Sequence, residues 1–126
     1  MHSRQEFGAM AETVSVLFLV KQGYEILERN YRKPWGEIDI IAKKDGVIAF
    51  VEVKANSTLS HESFAPEIRA DHVKLRKVVK SAMLYLEFEL KDLEGEWRVD
   101  IIGVTLDAAS SKAKITHFKN VADAIE

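Results

Sequence analysis

Glu37 and Asp39 stand two residues apart in the otherwise apolar run GEIDII (residues 36–41), and Glu52 and Lys54 repeat that spacing in FVEVK (residues 50–54). On a strand this spacing puts side chains on one face, so Phe50, Glu52 and Lys54 point together while Val51 and Val53 point away. Between the two runs lies KKDG, whose Asp45-Gly46 pair is the strongest short-range hairpin signal. A hairpin centred there sets Lys44 opposite Val47, Ile41 opposite Phe50, Asp39 opposite Glu52 and Glu37 opposite Lys54. Two carboxylates facing each other across a ladder repel, and removing them from water adds to the cost. A positive species between them relieves both effects, and carboxylate oxygens plus water suit a hard divalent cation such as Mg²⁺. The alternative is a solvated strand face whose ion pairs contribute little. Against it, Ile38, Ile40, Val51 and Val53 make the opposite face wholly apolar, while Ile41 and Phe50 make the acid-bearing face half apolar.

The elements that position these groups follow from periodicity and punctuation. Over residues 4–22, Met10, Val14, Leu17, Phe18 and the stem of Lys21 recur at helical spacing, which predicts a helix packed through that face and stopped by Gly23. YEILERNYR reads as an outer strand ending at KPWG. EIDIIAK and VIAFVEVKA are the hairpin strands. Residues 56–70 lack a sustained period and read as a long loop. Leu75, Val78, Val79, Ala82, Met83, Leu86 and Leu90 give a second helix over residues 71–90, with Asp71 at its start. WRVDIIGVTL reads as a buried strand, KITHFKN as an edge strand and VADAIE as a short terminal helix or tail. The expected fold is α/β, a mixed central sheet flanked by helices in the order α-β-β-β-α-β-β, as one domain over residues 1–126.

Bulk properties narrow the chemistry. The chain has 126 residues, 47% hydrophobic and 30% charged, which is the composition of one globular domain. A net charge of −2 gives no overall attraction to polyanions, so a nucleic-acid site must be a local patch. The absence of cysteine excludes disulfides, thiolate catalysis and cysteine-ligated zinc, and fits a reducing cytoplasm. The longest apolar stretch, residues 14–20, is far below the ~20 residues of a membrane span, and the first residues lack signal-peptide character. The expected location is cytoplasmic, with no membrane partner. The four histidines show no metal-ligand spacing.

An Asp on one strand and Glu-x-Lys on the next, after a helix carrying a Glu, resembles the PD-(D/E)xK (restriction-endonuclease-like) nuclease superfamily. More narrowly, GAMAE, GYEILERNYR, GEIDIIA, FVEVK, Lys74, Ala82, Tyr85, Leu86 and RVDII resemble the YraN-like family of small bacterial proteins, which is similar to archaeal Holliday-junction resolvases. The resemblance implies Glu12, Asp39 and Glu52 as metal-binding acids for Mg²⁺ or Mn²⁺, with the Val53 carbonyl a further ligand, and Lys54 as the catalytic lysine. Where the family pattern commonly has Arg, this chain has Asn56, which implies one phosphate contact fewer. The implied activity is metal-assisted hydrolysis of DNA phosphodiesters in branched or structured DNA, and resolvase-like action implies a two-fold dimer. The rival readings are a non-catalytic nucleic-acid-binding or protein-interaction module of the same fold, and a purely structural protein.

Glu37 has two readings, an acid of the cluster or the ion-pair partner that positions Lys54, and the register favours the second. RADHVKLRKVVK gathers Arg69, Lys74, Arg76, Lys77 and Lys80 against Asp71, a candidate patch for tracking phosphates; its alternative is a solvated helix face. Arg29, Arg32 and Lys33 extend the patch, with Tyr31 and Trp35 as stacking surfaces. Asp100 in RVDII either pairs with Arg98 or reaches the acid site, and the ion pair is the favoured reading.

Overall fold

A computed structural model of the chain describes residues 4–57, 72–91, 95–107 and 109–122. Helix α1 (Arg4–Lys21) precedes three strands, β1 (Glu25–Lys33), β2 (Gly36–Lys44) and β3 (Val47–Ser57). Helix α2 (His72–Leu84) runs into a π-helical turn (Tyr85–Leu90), and β4 (Glu96–Asp107) and β5 (Lys112–Phe118) follow. The sheet order is β1-β2-β3-β4-β5, with β3 and β4 parallel and the other neighbours antiparallel. A parallel pair needs a crossover, which α2 makes on one face while α1 packs on the other. The α/β order read from the sequence is the order observed.

Two apolar layers result. Phe50, Ile41, Ile48, Val99 and Ile101 pack under α2 through Leu75, Val78 and Ala82. Ile40, Ala42, Ala49, Val51, Ile102 and Val104 pack under α1 through Ala11 and Leu19. The α1 face corrects the sequence expectation in part: Val14 and Phe18 pack against the sheet as expected, whereas Met10 and Leu17 are exposed and Ala11, Ser15 and Leu19 are fully buried. Residues 14, 16–20 are apolar almost all round the helix, so periodicity does not select a face. The small side chains at Ala11 and Ser15 let the helix approach the sheet, and Ser15 Oγ donates to the Ala11 carbonyl at 2.7 Å, so its burial leaves no bond unmade.

Two glycines are required where they stand. Asp45 and Gly46 both have positive φ, 51° and 79°, as a two-residue hairpin turn demands. Gly36 has φ 155°, and a Cβ there would collide with Ser81 Oγ of α2. This close approach seats the start of β2 directly beneath the second helix.

Tyr31, expected as an exposed stacking surface, is buried against Tyr85, ring to ring at 5.3 Å; Trp35 is exposed. Asp71, Arg69, most of the long loop and the last four residues lie outside the described residues. Among the described residues no helix is long and apolar enough to cross a membrane.

Candidate active site

The β2–β3 ladder follows the register read from the hairpin, from Lys44 opposite Val47 to Ile40 opposite Val51, and then stops. Asp39 and Glu52 are therefore not the ladder partners expected. Instead the Asp39 carboxylate takes a backbone position: its Oδ2 accepts the Val53 N–H at 2.8 Å. On the other side, β1 and β2 pair at Arg29–Ile40 and at Tyr31–Ile38, passing over Asn30 and Asp39 between them. Asn30 has φ 51°, the left-handed conformation that asparagine tolerates best among residues with a side chain.

This irregularity exchanges the two faces of the sheet. Ile40 packs under α1, yet Ile38, two residues earlier, packs under α2. The single apolar face expected from Ile38 and Ile40 together does not exist, because strand alternation breaks at the acid between them.

Asp39 sits at this break and borders two cavities. One, about 670 Å³, is lined by Glu12 and Thr13 of α1, Arg29 and Arg32 of β1, and Asp39 and Val53. The other, about 40 Å³, lies under α2 between Asp39, Glu52, Lys74 and Val78. Burial raises the Asp39 carboxyl above the ordinary aspartate range; the charges of Glu52 and Glu37 push the same way, against the Val53 N–H and the Lys74 ammonium. Glu12 is raised as well, first by burial and then by the Asp39 charge, with Arg29 and Arg32 opposing. Its Oε1 is buried without a hydrogen bond, 3.8 Å from Arg29 Nη2, and Arg29 also reaches Thr13 Oγ1 at 3.5 Å.

Glu52 is buried on the α2 face, where the Lys74 ammonium contacts its Oε1. Lys54 is half-buried beside Gly103 of β4 and, by strand alternation, shares the Glu52 face. Glu37 does not reach Lys54 through the ladder; its partner is Arg32 across β1, 3.6 Å away with both side chains exposed. Arg76, Lys77 and Lys80 are exposed on α2, whereas Lys74, read as part of that patch, is engaged with Glu52.

Carboxylates thus come from three elements: Glu12 from the α1 side, Glu52 from the α2 side, and Asp39 at the opening between them. Among the described residues no group of three or more His, Cys, Asp or Glu side chains is arranged to hold one metal ion. A cation here would take one or two carboxylates and fill its remaining positions with water, carbonyl or phosphate oxygen, which is the habit of Mg²⁺. The buried, unbonded Glu12 Oε1 and the Asp39–Glu52 repulsion are the features such an ion would relieve. Asn30 and Thr13 were not legible as site residues. A composition-based signal existed only for Asn30, as a residue suited to a left-handed kink opposite an acid.

The family model described as "Uncharacterised protein family UPF0102" matches residues 11–104. The chain belongs to the UPF0102 family. It is 41% identical over 113 residues to the UPF0102 protein of Fervidobacterium nodosum, covering 89% of this chain and 78% of that one. With the UPF0102 protein of Campylobacter hominis it shares 39% identity over 116 residues, 92% of this chain and 93% of the relative. With that of Persephonella marina the figure is 39% over 117 residues, 92% of each chain. The family match takes in Glu12, Asp39, Glu52, Lys54 and Lys74. Neither the family description nor these names state an activity, so the chemistry of the family member described here rests on its residues.

Proposed function

We propose that this chain is a metal-dependent nuclease that hydrolyses DNA phosphodiesters, acting on structured or branched DNA. The observation that carries the reading is the position of Asp39, which borders both the arginine-rimmed cavity of Glu12 and the small cavity of Glu52. Half-buried carboxylates with raised proton affinity beside a cationic rim, here Asp39 and Glu12, are a pattern found at sites that serve a cation or an anionic substrate. When bound, a divalent ion held by Asp39 and Glu52, with Glu12 behind Asp39, supplies Lewis acidity toward a phosphoryl oxygen and a more acidic water.

The chain's own residues do the rest. Arg29 and Arg32 hold phosphates at the rim, and the small residues Gly8 and Ala9 at the mouth of the cavity let a backbone approach. Lys54 orients the attacking water and offsets charge developing on the phosphoryl oxygens. Water adds to phosphorus, one ester P–O bond breaks, and the departing alkoxide takes up a proton. Cutting a branched substrate at two symmetric points requires a two-fold dimer. The Lys74–Glu52 ion pair favours a second reading, a nucleic-acid-binding module that keeps the fold without cleaving.

Labelled four-way junctions, flaps and linear duplex, incubated with the protein and Mg²⁺ or Mn²⁺, separate the two. Cleavage by wild type that disappears in Asp39→Asn is the expected result. Binding without cleavage in either metal selects the module, and the absence of both overturns the two readings together.

A further inference from the structure

We propose that Lys74 is an internal counter-ion of the acid site, occupying beside Glu52 the place a divalent cation takes, so that cation binding and withdrawal of the Lys74 side chain are coupled. This rests on the metal-dependent reading above. The two partners of the ion pair are unlike in one respect that decides which can move. The Glu52 side chain is 7% exposed and the Lys74 side chain 57%. Glu52 stands on β3 between its neighbours, with Ile101 of β4 beside it, and its carboxylate opens only onto the small cavity under α2. Lys74 stands on the surface of α2 with a flexible stem, so its ammonium can swing toward solvent once another cation compensates Glu52.

A buried carboxylate with no partner is strongly disfavoured, and Lys74 meets that need when no other cation is present. The cavity between them, about 40 Å³ and bordered also by Asp39, has room for one water-sized species. An entering ion would neutralise Asp39 and Glu52 together, which one ammonium on Glu52 does not. The site therefore exists in two charge-compensated forms, and the ion sees an affinity reduced by the fraction of molecules in which Lys74 is engaged.

Substitutions in opposite directions test this without DNA or turnover. Mn²⁺ binding is measured by calorimetry, and by the shift in melting temperature, for wild type, Lys74→Met, Lys74→Arg and Asp39→Asn. Lys74→Met removes the competitor: it lowers the melting temperature without metal, and it tightens Mn²⁺ binding about tenfold. Lys74→Arg replaces a point charge by a bidentate fork that holds a carboxylate more firmly, and weakens Mn²⁺ binding. Equal Mn²⁺ affinity in wild type and both Lys74 variants, with binding lost in Asp39→Asn, leaves the metal site standing and overturns the counter-ion. Absence of Mn²⁺ binding in all variants, including the one lacking the competitor, overturns both. Should Lys74→Met fail to fold, Lys74→Arg decides alone: unchanged or tighter binding overturns the proposal.

Discussion

Two aspartates of this sheet are withdrawn from solvent, Asp100 fully and Asp39 in part, and their surroundings treat them in opposite ways. Asp100, on β4, is fully buried and saturated with donors: Arg98 Nε at 3.0 and 3.1 Å, His117 Nε2 at 2.8 Å and the Asn120 N–H at 3.0 Å. Arg98 in turn donates to Tyr24 Oη at 2.6 Å, tying the start of β1 to β4 and β5. Burial alone would raise the Asp100 carboxyl, but His117, the Asn120 amide and Arg98 together hold it below the ordinary range. Asp39 accepts one backbone N–H and faces the charges of Glu52 and Glu37, so burial keeps its carboxyl above that range. The difference lies in how burial is compensated: donors saturate Asp100 and fasten the fold, whereas Asp39 keeps a raised proton affinity, which is the feature the proposed function rests on.

Substitution sharpens this contrast most strongly at Asp100. Asp100→Ala leaves Arg98 and His117 facing an empty, partly buried site, and should cost about 3–5 kcal/mol in denaturant unfolding, the usual result of removing one partner from a buried ion pair. A loss under about 1 kcal/mol would mean that the network is ornamental. Asp39→Asn should have the opposite sign, raising stability at pH 7 by on the order of 0.5 kcal/mol as repulsion is relieved, because an amide oxygen can still accept from Val53.

The pH dependence follows from the same directions. The stability Asp100 contributes is present above the ordinary aspartate range and is lost as pH falls through its lower folded-state value. The penalty from Asp39 is absent below the ordinary range, where the group is protonated folded or unfolded, and grows as pH rises through its higher folded-state value. Unfolding curves at pH 3 and pH 7 should therefore show the gain from Asp39→Asn shrinking on acidification. A gain independent of pH would break the comparison. The smallest effect belongs to Arg32→Ala: its exposed ion pair with Glu37 contributes under about 1 kcal/mol to stability, and on the proposed nucleic-acid reading the same change should weaken DNA binding and reduce the salt slope by about 1.

The hairpin and the acids on it were legible because Asp45-Gly46 fixes a register and β-branched runs fix the strands; the ladder keeps that register as far as Ile40 opposite Val51. What the pattern could not contain was the departure at Asp39, a choice by a side chain to bond to the backbone of a neighbouring strand. The pairing of Asp100 with Arg98 was readable from their spacing. The part played by His117 was not, since it depends on how β5 aligns with β4. The buried face of α1 was legible only at Val14 and Phe18, because the helix is apolar on nearly every side and the residues that set its approach are small rather than greasy.

The parallel pairing of β3 with β4 bears on how the chain reaches this state. The β1–β2–β3 meander joins segments close in sequence, whereas β4 can align only after the whole α2 connection has been threaded across the sheet, and such distant contacts form slowly. Glu52 lies on β3, which joins its local neighbours first and gains β4 on its other edge only at that later step. On that order its carboxylate would keep its water through the early, local steps and lose it late, when α2 brings Lys74 to meet it. The same lysine that balances Glu52 in the folded chain would then spare the assembling chain an uncompensated charge at its slowest step.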